Sequence, residues 1–214
     1  MKFVENIQKV AELQPDYLGF IFYEKSPRNF EGIIPELSKQ TKKVGVFVNE
    51  YIEIVVSLIQ EYQFDLVQLH GGESVTYIKQ LKEALHQFED KNQKAIEIIK
   101  VFEIKDEFNL DTLKPFENEV DYFLFDTKGE RRGGNGITFN WQVLEKYNST
   151  KPYFLSGGIG LEQIDELDLF FKKPASKYCY AIDVNSKFEA KPGVKLIDKL
   201  KEFKAYSQEL TAKS

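Results

Sequence analysis

Asp126 and its neighbours have the residue types and spacing that acid–base chemistry requires. The carboxylate ends an apolar run, Tyr122–Phe125. The loop that follows is rich in glycine and basic residues: Lys128, Arg131, Arg132, Gly133, Gly134 and Gly136. Enzymes built on a barrel of parallel strands place catalytic groups at the carboxyl ends of those strands, where loops can cover them. Asp126 is therefore a candidate catalytic residue. The alternative is an aspartate that only ends the strand and caps a turn.

Two turns in the last third of the chain could hold a phosphate group. Ser156-Gly-Gly-Ile159 leads into a predicted helix, and Asp183-Val-Asn-Ser186 precedes another. Backbone N–H groups at helix N-termini bind anions, and the loops after the last two strands of a barrel often hold phosphate in this way. The candidate phosphate-binding residues are Gly157, Gly158, Asn185 and Ser186. The alternative is two ordinary tight turns.

Three further residues have side chains that could take part in binding or catalysis. Arg28 lies in a polar loop after the first predicted strand and could bind a carboxylate or phosphate through two parallel hydrogen bonds, or could be a solvated loop residue. His70 follows another predicted strand and could donate a hydrogen bond to a substrate, or could be a structural residue at the rim. Cys179 lies between Tyr178 and Tyr180, which favours a packing role over a nucleophilic one.

Strand and helix patterns alternate along the chain with short connections and position these residues. Seven apolar runs typical of buried strands end near Phe22, Val48, Leu69, Ile104, Phe125, Leu155 and Val184. Helices are predicted over Met1–Gln14, Gly32–Lys39, Ile52–Tyr62, Val75–Phe88, Leu110–Phe116, Trp141–Tyr147, Leu161–Phe171 and Val194–Tyr206. A repeated strand–helix unit predicts an α/β fold with a parallel sheet, here a single domain over residues 1–214.

The order of the elements favours a (β/α)8 barrel, the TIM-barrel fold, over an open sheet. No Gly-x-Gly-x-x-Gly follows the first strand, as a dinucleotide-binding sheet would require. The chain opens on a helix and has seven predicted strands. We therefore expect a TIM barrel from which the first strand is missing. In such a barrel Asp183, at the end of the last predicted strand, would share one rim with the other candidate residues.

The composition limits the classes of function. A net charge of −5 disfavours binding to nucleic acid or to an anionic membrane. The single cysteine excludes an intrachain disulfide and fits a reducing cytosol. With His70 and His86 as the two histidines, no His/Cys zinc cluster is predicted. No apolar run reaches the length of a membrane span, and the start is unlike a signal peptide. We expect a cytoplasmic protein.

Nine segments in this order resemble the phosphoribosylanthranilate isomerase family. They are Leu18-Gly-Phe-Ile-Phe-Tyr-Glu-Lys-Ser-Pro-Arg28, Val44-Gly-Val-Phe-Val-Asn49, Val67-Gln-Leu-His-Gly-Gly-Glu73, Phe125-Asp-Thr-Lys128, Gly133-Gly-Asn-Gly136, Phe139-Asn-Trp141, Ser156-Gly-Gly158, Asp183-Val-Asn-Ser186 and Pro192-Gly-Val-Lys195. The resemblance implies a TIM barrel of tryptophan biosynthesis that needs no cofactor and no metal. It implies an Amadori rearrangement of N-(5-phosphoribosyl)anthranilate to 1-(2-carboxyphenylamino)-1-deoxyribulose 5-phosphate.

The resemblance also implies a role for each candidate residue. Asp126 would be the general acid that protonates the furanose oxygen, and Arg28 would hold the anthranilate carboxylate. The phosphate would lie at the two turns, and the substrate-binding residues would be Arg28, His70, Gly157, Gly158, Asp183, Asn185 and Ser186. The expected partner is this small phosphosugar-anthranilate, with the protein a monomer or a homodimer.

The chain departs from the family pattern at the general base. The family has a cysteine at the end of its first strand, in a Lys-x-Cys-Gly motif that this chain lacks, and Cys179 is too far along the chain to replace it. We expect that a short upstream strand closes the barrel and supplies the thiolate. The alternative is a catalytically impaired or inactive phosphosugar-binding barrel.

Overall fold

The fold is organised around one parallel sheet, seen here in a computed structural model that describes residues 1–87, 95–104, 108–127 and 141–212. Seven strands follow one another in chain order, and each pairs in parallel with the next. They are β1 (Tyr17–Phe22), β2 (Lys42–Phe47), β3 (Leu66–Leu69), β4 (Glu97–Ile104), β5 (Tyr122–Thr127), β6 (Tyr153–Ser156) and β7 (Cys179–Ile182). All seven predicted strands are present, and β1 and β7 are the two ends of this sheet.

The sheet curls so that its inner face forms a core of its own. Inward side chains of β2 to β6 form one buried cluster, packed by residues of β1 and β7: Tyr17, Ile21, Val44, Val46, Leu66, Ile99, Val101, Tyr122, Leu124, Phe154 and Ala181. The ring of Tyr17 in β1 meets the ring of Phe154 in β6 at 5.2 Å between centroids. A flat sheet would hold these two strands five positions apart. The contact therefore shows a barrel-like curl, in which inward residues alternate with outward ones.

The outer face of the sheet packs against helices. These are α1 (Val4–Ala11), α2 (Ile52–Tyr62), α3 (Val75–His86), α4 (Ile164–Phe171) and α5 (Ile197–Ala212). Short 3₁₀ helices cover Leu110–Phe116, Trp141–Lys146, Leu161–Gln163, Pro174–Tyr178 and Ser186–Phe188. A hairpin, β8 (Glu189–Lys191) and β9 (Val194–Lys195), precedes α5. Within the described ranges, no helix is both long and apolar enough to span a bilayer.

Several helix predictions need correction. No helix forms over Gly32–Lys39, because Pro35 disfavours helical backbone at the preceding residue. The segment Leu110–Phe116 is a 3₁₀ rather than an α-helix and contains Pro115, whose missing N–H cannot join an α-helical ladder. The last helix begins at Ile197 instead of Val194, because residues 189–195 form the hairpin. Phe88, at which the predicted helix Val75–Phe88 ends, and the glycine-rich loop after Asp126 lie outside the described residues.

Candidate active site

Two neighbouring pairs of polar side chains meet at the carboxyl ends of β3, β5, β6 and β7. His70 Nε2 lies 3.5 Å from Asp126 Oδ2. Asp126 is the register partner of Ser156 on the next strand, and Ser156 Oγ donates to Asp183 Oδ2 at 2.9 Å. The structure therefore brings together three of the residues predicted from the sequence, along one rim, because the carboxyl ends of parallel strands point the same way.

Gln68 fixes the hydrogen-bonding direction of His70. The amide nitrogen of Gln68 lies 3.2 Å from Nδ1 of His70. An amide N–H₂ group can only donate, so Nδ1 is the acceptor in this contact. The neutral imidazole then carries its proton on Nε2, the atom that faces Asp126. His70 is thus set up as a donor toward Asp126 or toward a ligand beside it.

Asp183 lies in an environment that favours its protonated form. Burial raises the pKa of Asp183, whereas the hydrogen bond from Ser156 and the ammonium of Lys195 lower it, and the charge of Asp126 raises it again. These interactions place Asp183 within electrostatic reach of both Asp126 and Lys195. A raised pKa favours the protonated form of Asp183, so this carboxyl group is suited to donate a hydrogen bond or a proton at the rim.

The glycine turn after β6 exposes its backbone to the rim. Gly157 and Gly158 have φ angles of 94° and 66°, the left-handed region that side chains disfavour. A methyl group built on Gly158 would meet no atom within 4 Å, so open space lies beside this backbone. The turn leads through a 3₁₀ turn into α4. This arrangement suits a ligand that approaches the main chain closely.

The turn after β7 differs from its sequence prediction. The sequence predicts that Asp183–Ser186 precedes a helix, but in the structure a single 3₁₀ turn, Ser186–Phe188, and then the hairpin follow it. So short a turn has little macrodipole to attract an anion. Positive charge comes instead from Lys195, whose Nζ donates to the Asn185 side-chain oxygen at 2.6 Å and to its carbonyl at 3.1 Å.

Arg28 is held by an acidic residue that the sequence analysis missed. Its Nε and Nη2 donate to Glu189 Oε2 at 2.8 and 2.7 Å. The same carboxylate accepts from Lys195 Nζ at 3.2 Å. Arg28 is therefore held in place rather than solvated, because it is linked through Glu189 and Lys195 to the Asn185 turn. Lys195 belongs to the Pro192–Lys195 segment that resembles the family, and this segment could have identified it as a site residue.

A buried ion pair underlies the His70 loop. Lys100 Nζ lies 3.1 Å from Glu73 Oε2, and the two residues are 3% and 5% exposed. Glu73 also accepts hydrogen bonds from the backbone N–H groups of Gly71 and Asn49, and Lys100 donates to the Gly71 carbonyl at 2.7 Å. The backbone directly after His70 is thus held from both sides. Neither Glu73 nor Lys100 is among the candidate residues predicted from the sequence.

Cys179 has the environment of a packing residue. Burial raises the pKa of its thiol to about 12, and Sγ lies 3.8 Å from the carbonyl oxygen of Ala181. A thiol with so high a pKa is a poor nucleophile near neutral pH. Across the described parts of the chain, no group of three or more His, Cys, Asp or Glu side chains could hold a metal ion.

A family model and a curated relative point to the same family. The family pattern of N-(5'phosphoribosyl)anthranilate (PRA) isomerase matches residues 1–205. The N-(5'-phosphoribosyl)anthranilate isomerase of Parabacteroides distasonis is 40% identical over 209 residues, which cover 95% of this chain and 88% of that protein.

Solved structures lead to the same family. Phosphoribosyl anthranilate isomerase from Thermotoga maritima superposes with a TM-score of 0.76 at 28% identity, covering 98% of this chain and 96% of that one. A phosphoribosyl anthranilate isomerase in complex with reduced 1-(o-carboxyphenylamino)-1-deoxyribulose 5-phosphate gives a TM-score of 0.74 at 25% identity, covering 98% and 95%.

Proposed function

The chain belongs to the N-(5'-phosphoribosyl)anthranilate isomerase family, and we propose that its strand-end rim carries out that family's reaction in tryptophan biosynthesis. The reaction is the Amadori rearrangement of the phosphoribosylanthranilate to its 1-deoxyribulose phosphate isomer. The observation that carries the site assignment is the pairing of Asp126 with His70 beside the Ser156–Asp183 pair. The proposed chemistry consists of proton transfers alone, so it requires neither a metal nor another cofactor.

Asp126 is the proposed general acid. It protonates the furanose oxygen, the ring C–O bond breaks, and the anthranilate nitrogen forms a Schiff base with the opened sugar. The Nε2–H of His70, 3.5 Å away, would orient the Asp126 carboxyl group and donate to the substrate as the proton leaves. The role of His70 in this step is binding and orientation.

The substrate is proposed to lie between Arg28 and the two turns. Arg28 would donate to the anthranilate carboxylate, while Gly157, Gly158, Asn185 and Ser186 would surround the phosphate. The left-handed glycine backbone beside open space supports this placement. Asp183 would contact the sugar, since its partner Ser156 lies next to Asp126 in the sheet register.

The general base is proposed to come from a strand between β1 and β7. A base must take the proton from the sugar carbon next to the Schiff base, and the product ketone follows from the resulting enolamine. In the described residues β1 and β7 end the sheet although it curls like a barrel, and an eighth strand would pair with both edges. The family's thiolate, in Lys-x-Cys-Gly, would lie at the end of that strand.

The domain organisation, the localisation and the oligomeric state are proposals as well. We expect residues 1–214 to act as one cytoplasmic domain, as a monomer or a homodimer. A non-catalytic phosphosugar-binding barrel remains the second candidate, because the described residues supply no thiolate suited to the base step: the pKa of Cys179 is raised to about 12.

Substitution of the two rim carboxylates separates their roles. In a version of the chain that carries the Lys-x-Cys-Gly strand, we expect Asp126→Asn to lower turnover by roughly 10²–10⁴-fold, the usual contribution of a general acid, while binding of the reduced product analogue is retained. Asp183→Asn, the matched control, should weaken binding and retain most turnover at saturating substrate. The opposite pattern, with turnover retained in Asp126→Asn and lost in Asp183→Asn, would transfer the acid role to Asp183.

A further inference from the structure

Glu189 is the most highly connected carboxylate near the rim and has no part in the reaction as proposed. Its side chain is 3% exposed, although it lies on the short hairpin strand β8. It accepts hydrogen bonds from Arg28 Nε and Nη2, from Lys195 Nζ and from the Gly193 backbone N–H. These contacts lower the pKa of Glu189 against the opposing effect of burial. A buried carboxylate is kept ionised only by such a set of donors.

These contacts join two loops that lie at opposite ends of the sheet. Arg28 belongs to the loop after β1, whereas Lys195 contacts Asn185 in the turn after β7. Arg28 and Glu189 are 161 positions apart in the chain. In the curled sheet, Glu189 therefore connects the proposed carboxylate-binding residue to the proposed phosphate-binding turn.

The contact geometry suits positioning rather than simple neutralisation of charge. A guanidinium has five N–H donors in a rigid plane, and Glu189 engages donors on Nε and Nη2, so the contact fixes the plane without using all of its donors. The hairpin is fixed in turn by Gly193, whose φ of 82° aims its N–H at Glu189. Asn6 adds two hydrogen bonds with the backbone of Lys195.

We propose that Glu189 is a positioning residue that fixes Arg28 and the Asn185 turn together, so that the carboxylate and phosphate ends of the substrate are bound as one unit. This inference rests on the proposed function, because it requires that Arg28 and the turn bind those two groups. Glu189 itself touches neither the substrate nor the reacting atoms.

Two substitutions separate positioning from charge. Glu189→Gln keeps the shape and removes the charge, whereas Glu189→Asp keeps the charge but is one methylene shorter and cannot reach both cations. Binding of anthranilate and of inorganic phosphate is measured by calorimetry. Turnover kinetics are measured alongside, in a version of the chain that carries the Lys-x-Cys-Gly strand. The matched control is Glu97→Gln, which removes the Lys42–Glu97 contact of 2.7 Å at the first residues of β2 and β4.

We expect both variants to bind anthranilate and phosphate roughly 10- to 100-fold more weakly, as for loss of a charged hydrogen bond, with a raised KM and a smaller change in kcat. Glu97→Gln should leave both affinities unchanged. If Glu189→Asp bound as the wild type did, or if Glu189→Gln bound both anions more tightly, Glu189 would act through its charge and the inference would fail. Unchanged affinities with a lowered melting temperature would show a purely structural role.

The wild-type chain distinguishes this failure from failure of the proposed function. If it binds both anions and only the effect of Glu189 is absent, the site assignment stands without the inference. If it binds neither anion, Arg28 and the Asn185 turn are not the substrate site. The inference about Glu189 and the proposed site assignment are then both overturned.

Discussion

Lys100→Met should destabilise the fold strongly, because it leaves the carboxylate of Glu73 buried without its cation. The two residues are 3% and 5% exposed, and Nζ lies 3.1 Å from Oε2. Burial lowers the pKa of Lys100, and the charge of Glu73 opposes this, so the ammonium persists there because of its partner. Met has a similar length and fills the space of the lysine chain without its charge.

The expected loss is about 3 kcal/mol, at the lower end of the 3–5 kcal/mol typical of breaking a buried ion pair. Two features of the structure limit it. Glu73 keeps hydrogen bonds from the N–H groups of Asn49 and Gly71, and two of the contacts that Lys100 loses, those with the Leu69 and Val101 carbonyls, are long at 3.3 Å. The contact with the Gly71 carbonyl at 2.7 Å is the main further loss.

Urea denaturation at neutral pH measures this effect. With a slope of about 2 kcal/mol per molar, a loss of about 3 kcal/mol lowers the midpoint by about 1.5 M. The double variant Lys100→Met with Glu73→Gln should regain at least about 1 kcal/mol, since no unpaired charge remains. A midpoint for Lys100→Met within about 0.25 M of the wild type would refute the argument that the pair is buried and coupled.

Three further predictions concern packing and titration. Gly45→Ala should lower the free energy of unfolding by about 1–3 kcal/mol, because its methyl group would lie 2.8 Å from two phenylalanine rings. Gly19→Ala, whose methyl group would lie 3.8 Å from its nearest neighbour, should lower it less. Equal unfolding midpoints of the two variants in urea would contradict this prediction. Burial raises the pKa of the Cys179 thiol from 9.0 to about 12. At pH 8 this thiol should therefore react with thiol reagents about a thousandfold more slowly in the folded chain than in the urea-unfolded chain. Equal rates would show that the thiol is accessible and ionisable in the folded chain. Burial raises the pKa values of Tyr77 and Tyr147 from 10.0 to about 12, so the unfolded chain loses these protons first and stability should fall as the pH rises from 10 through 12. Tyr147→Phe should make this fall shallower. A melting temperature that does not change over this pH range would contradict the prediction.

The sequence predicted the parts of the fold that depend on local pattern. The bounds of α2 agree with the predicted Ile52–Tyr62, because an amphipathic helix has a clear period, and β3 ends at the predicted Leu69. The segment over Gly32–Lys39 has apolar residues at helical spacing, but Pro35 restricts the backbone before it. Composition alone did not show which of these effects would dominate.

The candidate site was predictable where it depends on the direction of the strands. Asp126, His70 and Asp183 meet because each lies at the carboxyl end of a strand of one parallel sheet, and this needs no knowledge of distances. The partners of these residues were not predictable. Glu189 meets Arg28 across 161 positions, through a hairpin that the sequence presented as the start of a helix. Such pairing is decided by the closing of the sheet rather than by local spacing.

Turnover of N-(5'-phosphoribosyl)anthranilate is the most direct test of the central claim. It is measured for this chain beside a version in which a strand ending in Lys-x-Cys-Gly leads into Met1, with Cys→Ser in that strand as the control. We predict isomerase turnover in the version with the strand, and loss of turnover when its Cys or Asp126 is replaced. Absence of turnover in a folded protein carrying the strand would contradict the proposed isomerase activity and leave the phosphosugar-binding barrel as the better description.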